Sequence, residues 1–195
     1  MNRSLYIVTG LPRSGTSLMM QMLSEIGISI IASNSREIDK HNPRGYFEDN
    51  RVNSDSGDLS FLDTDCEAAV KITIPRIESI PKQSNARVIF MTRNTRSIAQ
   101  SQYAFIGRQS VPIDINEVAA NLDLMLLSTF DYLLTIYHDD LIEISYDDLL
   151  NEPERALVSL IAFLNRPNQQ LDKLKAVIDP TLRHWNGKTI LHDHQ

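Results

Sequence analysis

The sequence predicts an α/β fold, with a central parallel sheet in the middle of three layers. Short apolar runs, such as residues 5–8 and 87–92, alternate with longer segments whose apolar residues recur at helical spacing. Strands that alternate with helices favour a parallel sheet with helices on both faces. In such sheets ligands bind outside the carboxyl ends of the strands. The residues that follow each predicted strand are therefore the first candidates for a functional site.

The individual elements follow from apolar patterning and from residues that end helices and strands. The predicted strands are residues 5–9, 28–31, 68–74, 87–92 and 141–145. The predicted helices are residues 16–26, 95–107, 116–137, 152–164 and 171–178, with one further helix within 52–62. Gly27 is expected to end the first helix and Pro75 to end the third strand, while Asn151 is expected to cap the helix that begins at residue 152.

The segment Gly10–Ser17, GLPRSGTS, joins the first strand to the first helix. Gly10 and Gly15 are separated by four residues, which is the P-loop spacing. Backbone N–H groups of such a loop converge on an anion, and the N-terminus of the following helix adds partial positive charge. ATPases have Lys after the second glycine, whereas this chain has Thr16 there and places its cation inside the loop as Arg13.

The other strand ends carry no acidic residue. Strands 68–74, 87–92 and 141–145 contain or are followed by Lys71, Arg93 and Ser145. A P-loop NTPase needs a lysine on the phosphates and usually a strand-end carboxylate for Mg²⁺. The pattern therefore favours an anionic group held by protein cations without a metal. An atypical nucleotide kinase or NTPase remains the alternative, and it requires Mg²⁺-dependent ATP turnover.

Bulk properties restrict the class of protein. The 195 residues suit one domain over 1–195, and a net charge of -6 with a pI of about 5.3 argues against general nucleic-acid binding. Cys66 is the only cysteine, so an intrachain disulfide is excluded. We found no signal peptide and no apolar run of the roughly 18 residues that a membrane span needs. We therefore expect a soluble, cytoplasmic protein, and the sequence leaves its oligomeric state open.

Two phosphate motifs resemble those of sulfotransferases that use 3′-phosphoadenosine 5′-phosphosulfate (PAPS). The Gly10–Ser17 segment is similar to the family's 5′-phosphosulfate loop, with the cation at Arg13. Arg93 ends a strand and Ser101 follows eight residues later, as in the family's pair that holds the 3′-phosphate. Residues 145–164 resemble a structural segment of the family, and residues 42–48 resemble bacterial sulfotransferase-like proteins. The family's C-terminal Arg-Gly-Gly loop has its only basic counterpart at residues 183–188.

The resemblance implies a P-loop NTPase-like sulfotransferase fold that transfers a sulfuryl group to a hydroxyl or amine. Arg13 would stabilise the leaving phosphate, and a general base would take the proton of the acceptor. Glu48 is the first choice for this base, with Glu37 and His41 as alternatives. No metal is implied, and the acceptor is expected to be a small molecule or a carbohydrate. The expected contacts of the cosubstrate are Gly10, Pro12, Arg13, Ser14, Gly15, Thr16, Ser17, Arg93, Ser101 and Arg183.

A non-catalytic module that only binds a phosphorylated nucleotide is the third hypothesis, because a fold can persist after its chemistry is lost. It predicts binding of the cosubstrate without turnover, and indifference to Glu48→Gln.

Overall fold

The structure is a computed structural model that describes residues 5–33, 44–54, 59–83, 85–106 and 113–182. Its centre is a five-stranded sheet in which every neighbouring pair of strands is parallel. The strands are β1 (Leu5–Gly10), β2 (Ser29–Ile31), β3 (Ala68–Lys71), β4 (Ala86–Thr92) and β5 (Leu141–Ser145). Their spatial order is β2-β3-β1-β4-β5. The predicted parallel α/β sheet is confirmed.

β1 lies in the middle of this sheet because it pairs with β3 on one side and β4 on the other. All six of its residues are buried. Such a strand must be apolar on both faces, which explains why LYIVTG lacks the alternation of a half-exposed strand. The loop that follows β1 therefore leaves from the best-protected strand of the sheet.

Helices cover both faces of the sheet. They are α1 (Thr16–Glu25), α2 (Thr95–Ile106), α3 (Ile115–Tyr137), α4 (Tyr146–Asn151), α5 (Pro153–Phe163) and α6 (Leu171–Val177). One apolar cluster joins α1, α4, α5 and α6 to one face, and includes Met19, Leu149, Leu160 and Leu174. The other cluster joins α2 and α3 to the opposite face. The sheet and the helices packed on its two faces therefore form the three predicted layers.

Three local predictions were wrong. Residues 52–62 do not form an α-helix in the part described; two short 3-10 turns, Asn50–Asn53 and Ser60–Leu62, are found on either side of residues 55–58. β3 ends at Lys71 rather than at residue 74, although Ile72 and Ile74 still donate to the carbonyls of β1. Asn151 does not cap a following helix, because it is the last residue of α4 and Pro153 begins α5.

α3 has an unusual surface. Leu124 and Leu127 are 67% and 60% exposed, although Leu133 on the same helix is 1% exposed and packs on the sheet. Among the described residues, one stretch, Ile115–Asp140, is long and apolar enough to cross a membrane by length and composition, with a mean hydropathy of 1.2. Core helices of soluble proteins also meet this criterion, so the expected absence of a membrane span stays a prediction.

Candidate active site at the carboxyl end of the sheet

The Gly10–Ser17 loop connects β1 to α1 and is shaped by positive backbone φ angles. Arg13 and Gly15 have φ values of 79° and 98°, and Ser14 N–H donates to the Leu11 carbonyl at 3.0 Å. α1 begins directly after Gly15 without a side-chain cap and without an acidic residue in its first turn. Its N-terminal dipole and N–H groups are therefore suited to an anionic ligand rather than to a carboxylate of the chain.

The two loop glycines are required by close packing. A Cβ atom on Gly10 would lie 2.4 Å from the Met91 carbonyl oxygen of β4. A Cβ atom on Gly15 would lie 2.4 Å from Cδ2 of the Tyr146 ring. Because real Cβ atoms do not approach other atoms so closely, each glycine lets the loop lie against a neighbouring element. The packing against β4 and α4 fixes the height of the loop above the sheet.

A hydroxyl at the base of the loop has no partner in the described part of the chain. Ser14 is fully buried, and within the described residues its Oγ neither donates nor accepts a hydrogen bond. A buried hydroxyl without a partner costs free energy, on the order of 1–3 kcal/mol. The loop is therefore polar at its centre, which fits a ligand that brings hydrogen-bond acceptors of its own.

The two predicted phosphate motifs meet in space. Arg13 Nε donates to Ser101 Oγ of α2 at 3.0 Å. Arg93, directly after β4, donates from Nη1 to the main-chain carbonyl of Arg13 at 3.0 Å. Ser101 and Arg93 are 3% and 9% exposed, so both contacts are shielded from water. Two guanidinium groups separated by 80 residues in sequence thus lie at one edge of the sheet.

Tyr146, the first residue of α4, supports this arrangement. Its ring lies against the Gly15 backbone, and the Arg93 guanidinium carbon lies 4.7 Å from the ring centroid. A guanidinium over an aromatic face is attracted by the ring quadrupole and is held in orientation. The sequence placed Tyr146 in a segment regarded as structural, and so its contact with Arg93 was not foreseen.

The acidic side of the site is the segment 44–49, which contains Glu48. Lys71 Nζ, at the end of β3, donates to the Tyr46 carbonyl and lies 3.2 Å from Glu48 Oε1. Ser17 Oγ in the first turn of α1 donates to the same Tyr46 carbonyl at 3.4 Å. The Lys71 side chain is 4% exposed and that of Glu48 is 36% exposed. One carbonyl therefore joins the segment that carries Glu48 to the anion-binding loop and to β3.

The residue after Glu48 is held by a separate interaction. Asp49 accepts from the Arg51 backbone N–H at 3.0 Å and from the Arg51 guanidinium at 2.9 and 2.8 Å. These hydrogen bonds lower the pKa of Asp49 and outweigh the opposing effect of its burial. Asp49 therefore stays ionised and caps the 3-10 turn Asn50–Asn53. Its charge is satisfied locally by Arg51.

Most predicted site residues share this edge of the sheet. The loop Gly10–Ser17, Arg93 and Ser101 form one connected group, and Glu48 joins it through Lys71 and Tyr46. Pro12 is exposed on the rim, where its carbonyl accepts from Gln102 Nε2 at 3.0 Å. Glu37, His41 and Arg183 lie outside the described residues. Within the described ranges, no group of three or more His, Cys, Asp or Glu side chains gathers as a metal site.

The sequence indicated where Lys71 would lie, but it did not indicate which residue Lys71 would pair with. A lysine at the end of a predicted strand was expected at this edge, yet such lysines are often only solvated. In the structure it is buried and ion-paired. The signal that could have found the pairing is the polar, aromatic segment around Glu48, since a buried lysine needs an acidic partner.

The fold and the site together define a parallel α/β domain with a glycine-bounded loop before a helix and with buried cations at strand ends, an arrangement suited to an anionic ligand. The family model of the sulfotransferase domain matches residues 4–186. The chain therefore belongs to the sulfotransferase domain family, and the predicted family is confirmed. A search of curated protein sequences gives no significant match.

Solved structures of sulfotransferases share this fold at low sequence identity. A sulfotransferase from Alicyclobacillus acidocaldarius is 15% identical, with a TM-score of 0.56 over 93% of this chain and 89% of that chain. Mouse SULT7A1 complexed with PAP is 12% identical, with a TM-score of 0.55 over 100% of this chain and 70% of that chain. STF9 from Mycobacterium avium is 13% identical, with a TM-score of 0.52 over 90% and 68%. These likenesses establish the P-loop-like α/β fold of the family.

Proposed function

We propose that this protein transfers a sulfuryl group from PAPS to a hydroxyl or amine of a small-molecule or carbohydrate acceptor. The observation that carries the proposal is the junction of two anion motifs, in which Arg13 contacts Ser101 and Arg93 contacts the Arg13 carbonyl. A ligand with anionic groups on both the 3′ and the 5′ positions of one ribose matches two neighbouring cationic positions better than a ligand with an anionic group at only one of them. PAP, the product of PAPS, is bound in the similar mouse SULT7A1 structure and in retinol dehydratase with androsterone.

In the proposed reaction the bond between sulfur and the 5′-phosphate oxygen breaks, and a bond from sulfur to the acceptor oxygen or nitrogen forms. The electron pair of the broken bond stays on the phosphate, where Arg13, the N–H groups of the loop, and the hydroxyls of Thr16 and Ser17 stabilise it. Arg93 and Ser101 hold the 3′-phosphate. Arg183 is proposed as a further contact with the cosubstrate.

The proton of the acceptor goes to the Glu48 carboxylate. Glu48 suits this role because its side chain is part-exposed and its own segment, 44–49, is held on the first turn of α1 through the Tyr46 carbonyl. Lys71 Nζ lies 3.2 Å from Glu48 Oε1 and holds the carboxylate in place. Glu48→Gln removes the general base and should lower turnover by about 10²–10⁴-fold. Glu37 and His41 are the alternatives if Glu48→Gln retains turnover.

Calorimetry with PAP tests the cosubstrate without knowledge of the acceptor. Wild-type protein should bind PAP more tightly than ATP with Mg²⁺, and Arg93→Ala should weaken PAP but leave AMP, which lacks a 3′-phosphate, less affected. Arg96→Ala is the matched control, because Arg96 is exposed on α2 and its guanidinium contacts Asn116 at 2.9 Å. A preference for ATP with Mg²⁺ would contradict the proposal and favour the NTPase alternative.

Transfer of ³⁵S from labelled PAPS to a panel of phenols, aliphatic alcohols, amines and saccharides tests the reaction itself. Arg13→Ala should abolish transfer, since it removes the cation that stabilises the leaving phosphate. The non-catalytic binding module would be favoured by two results together. The protein would bind PAP but transfer label to no member of the panel, and any slow release of labelled sulfate would proceed at the same rate in Glu48→Gln as in the wild type.

A further inference from the structure

The segment that carries Glu48 is attached at its first described residue to the C-terminal end of α6. We propose that Arg44 and Asp179 form a positioning pair that sets the place of the Glu48 carboxylate. Through this pair the residues that follow α6, far from the anion-binding loop in sequence, act on the transfer step. The proposal rests on the proposed function, in which Glu48 is the general base.

Arg44 is held by two different groups of the α6 end. Its Nη1 donates to the Val177 carbonyl at 2.7 Å, and its Nη2 donates to Asp179 Oδ2 at 3.1 Å. The second carboxylate oxygen of Asp179 accepts from the Thr181 backbone N–H at 3.0 Å and from Thr181 Oγ1 at 2.6 Å. Each oxygen of Asp179 thus has its own donors, and the carboxylate is fixed in rotation when it meets the guanidinium.

The backbone between Arg44 and Glu48 is under strain. Phe47 has a φ of 53°, which an L-residue with a large side chain rarely adopts. A strained residue persists only where contacts on both sides over-determine it. On the far side the Glu48 carbonyl accepts from the Ser33 N–H at 3.1 Å, and in the middle the Tyr46 carbonyl accepts from Ser17 and Lys71. Arg44 supplies the contact on the near side.

Release of Arg44 would favour relaxation of Phe47 toward an ordinary backbone conformation, because the residues before Phe47 would be held through the Tyr46 carbonyl with one anchoring side chain fewer. The Glu48 side chain follows Phe47 directly, so relaxation moves the carboxylate relative to Lys71. A shift of about 1 Å in a reacting group can lower a rate by about 10²-fold. The ion pair itself adds little to stability, because its side chains are 39% and 32% exposed. A positioning pair of this kind should change turnover far more than it changes folding.

Four variants separate positioning from simple structural support. Arg44→Ala and Asp179→Asn should each lower kcat by about 10–100-fold, with the KM for PAPS and the affinity for PAP changed by no more than about twofold. Arg44→Lys should be intermediate, because an ammonium cannot contact both the carbonyl and the carboxylate as the guanidinium fork does. The double variant Arg44→Ala/Asp179→Asn should be no slower than Arg44→Ala alone, since the residues act as one unit.

Lys175→Ala is the matched control. Lys175 lies on α6, the helix whose end contacts Arg44, and forms an exposed ion pair with Glu154 at 2.7 Å. Among the interactions described, it has no contact with the 44–49 segment. Its kcat should equal that of the wild type. Equal losses of kcat in Lys175→Ala and Arg44→Ala would overturn the proposal, because they would reflect a general loosening of α6.

Amide hydrogen exchange provides a readout that needs no acceptor. In Arg44→Ala and Asp179→Asn, exchange should become faster at Ser33 and Arg51, whose N–H groups bind the Glu48 carbonyl and the Asp49 side chain, and stay unchanged across β1. Unchanged exchange at Ser33 and Arg51 in both variants would overturn the proposal even if turnover fell. Faster exchange in a protein that transfers no sulfuryl group would retain the mechanical link, and would contradict the proposed function instead.

Discussion

Replacing Gly15 with alanine tests the packing that holds the anion-binding loop on α4. The new Cβ would lie 2.4 Å from Cδ2 and 3.1 Å from Cγ of the Tyr146 ring. Neither group can yield easily, since Gly15 is the residue before α1 and Tyr146 is buried at the start of α4. Gly27 is a natural control, because it has a similar φ of 87° and open space where its Cβ would be.

The two glycines separate a conformational cost from a steric one. At positive φ an alanine costs about 1–2 kcal/mol at either position. At Gly15 the contact with Tyr146 adds the cost of overpacking, about 1–3 kcal/mol. We therefore expect Gly27→Ala to lower the free energy of unfolding by about 1–2 kcal/mol and Gly15→Ala by about 2–5 kcal/mol.

Urea unfolding at pH 7, followed by circular dichroism, measures both losses. Gly15→Ala should also be examined with Tyr146→Leu, which removes the ring and should reduce the cost of the alanine toward that seen at Gly27. This background keeps the measurement informative if Gly15→Ala alone is too unstable to fold. Equal losses at the two glycines, or a Gly15→Ala loss that Tyr146→Leu leaves unchanged, would refute the packing argument.

Three further predictions concern charged groups and the second motif. Lys71→Met should lower the free energy of unfolding by about 1–3 kcal/mol in urea titrations, because it removes a buried donor from the Tyr46 carbonyl and from Glu48; no loss would show that the pair is not formed in solution. Because hydrogen bonds from Arg51 lower the pKa of Asp49, its contribution to stability is complete above the ordinary pKa of 3.8 and is lost as the pH falls through the lower value. Asp49→Asn should therefore make the unfolding free energy less dependent on pH in this acidic range, and an unchanged dependence would contradict the assignment. Ser101→Ala removes a hydroxyl proposed to hold the 3′-phosphate, so calorimetry should show weaker binding of PAP but little change for AMP, which lacks that phosphate. An equal loss for both ligands would indicate that Ser101 acts instead through Arg13, whose Nε donates to it.

The sequence was sufficient for the fold because each strand and long helix has its own local pattern. β1 and β4 each contain a continuous apolar run, and α3 repeats its apolar residues at helical spacing over 23 residues. The errors fell where the pattern is short or ambiguous. α4 has only six residues and follows β5 without a loop, so its pattern merges with that of its neighbours. The start of α5 is set by Pro153, which suits the first turn of a helix, rather than by the side chain of Asn151.

The candidate site was predictable only in part. Strand ends of a parallel sheet share one edge, which brings Arg13, Lys71 and Arg93 together by topology alone. The sequence cannot state which partner each cation has, because partners depend on loop paths. The carbonyl of Tyr46 carries no sequence signal at all, since every residue has one, yet it receives both Ser17 and Lys71.

The central place of β1 gives the two sides of the site different resistance to local opening. The anion-binding loop leaves a strand with hydrogen-bonded neighbours on both sides, so opening it requires rupture of the middle of the sheet. The 44–49 segment belongs to no strand, and its attachments include the Arg44 side chain and the Tyr46 and Glu48 carbonyls. We therefore expect substitutions in that segment to disturb the Gly10–Ser17 loop less than substitutions in β1 would.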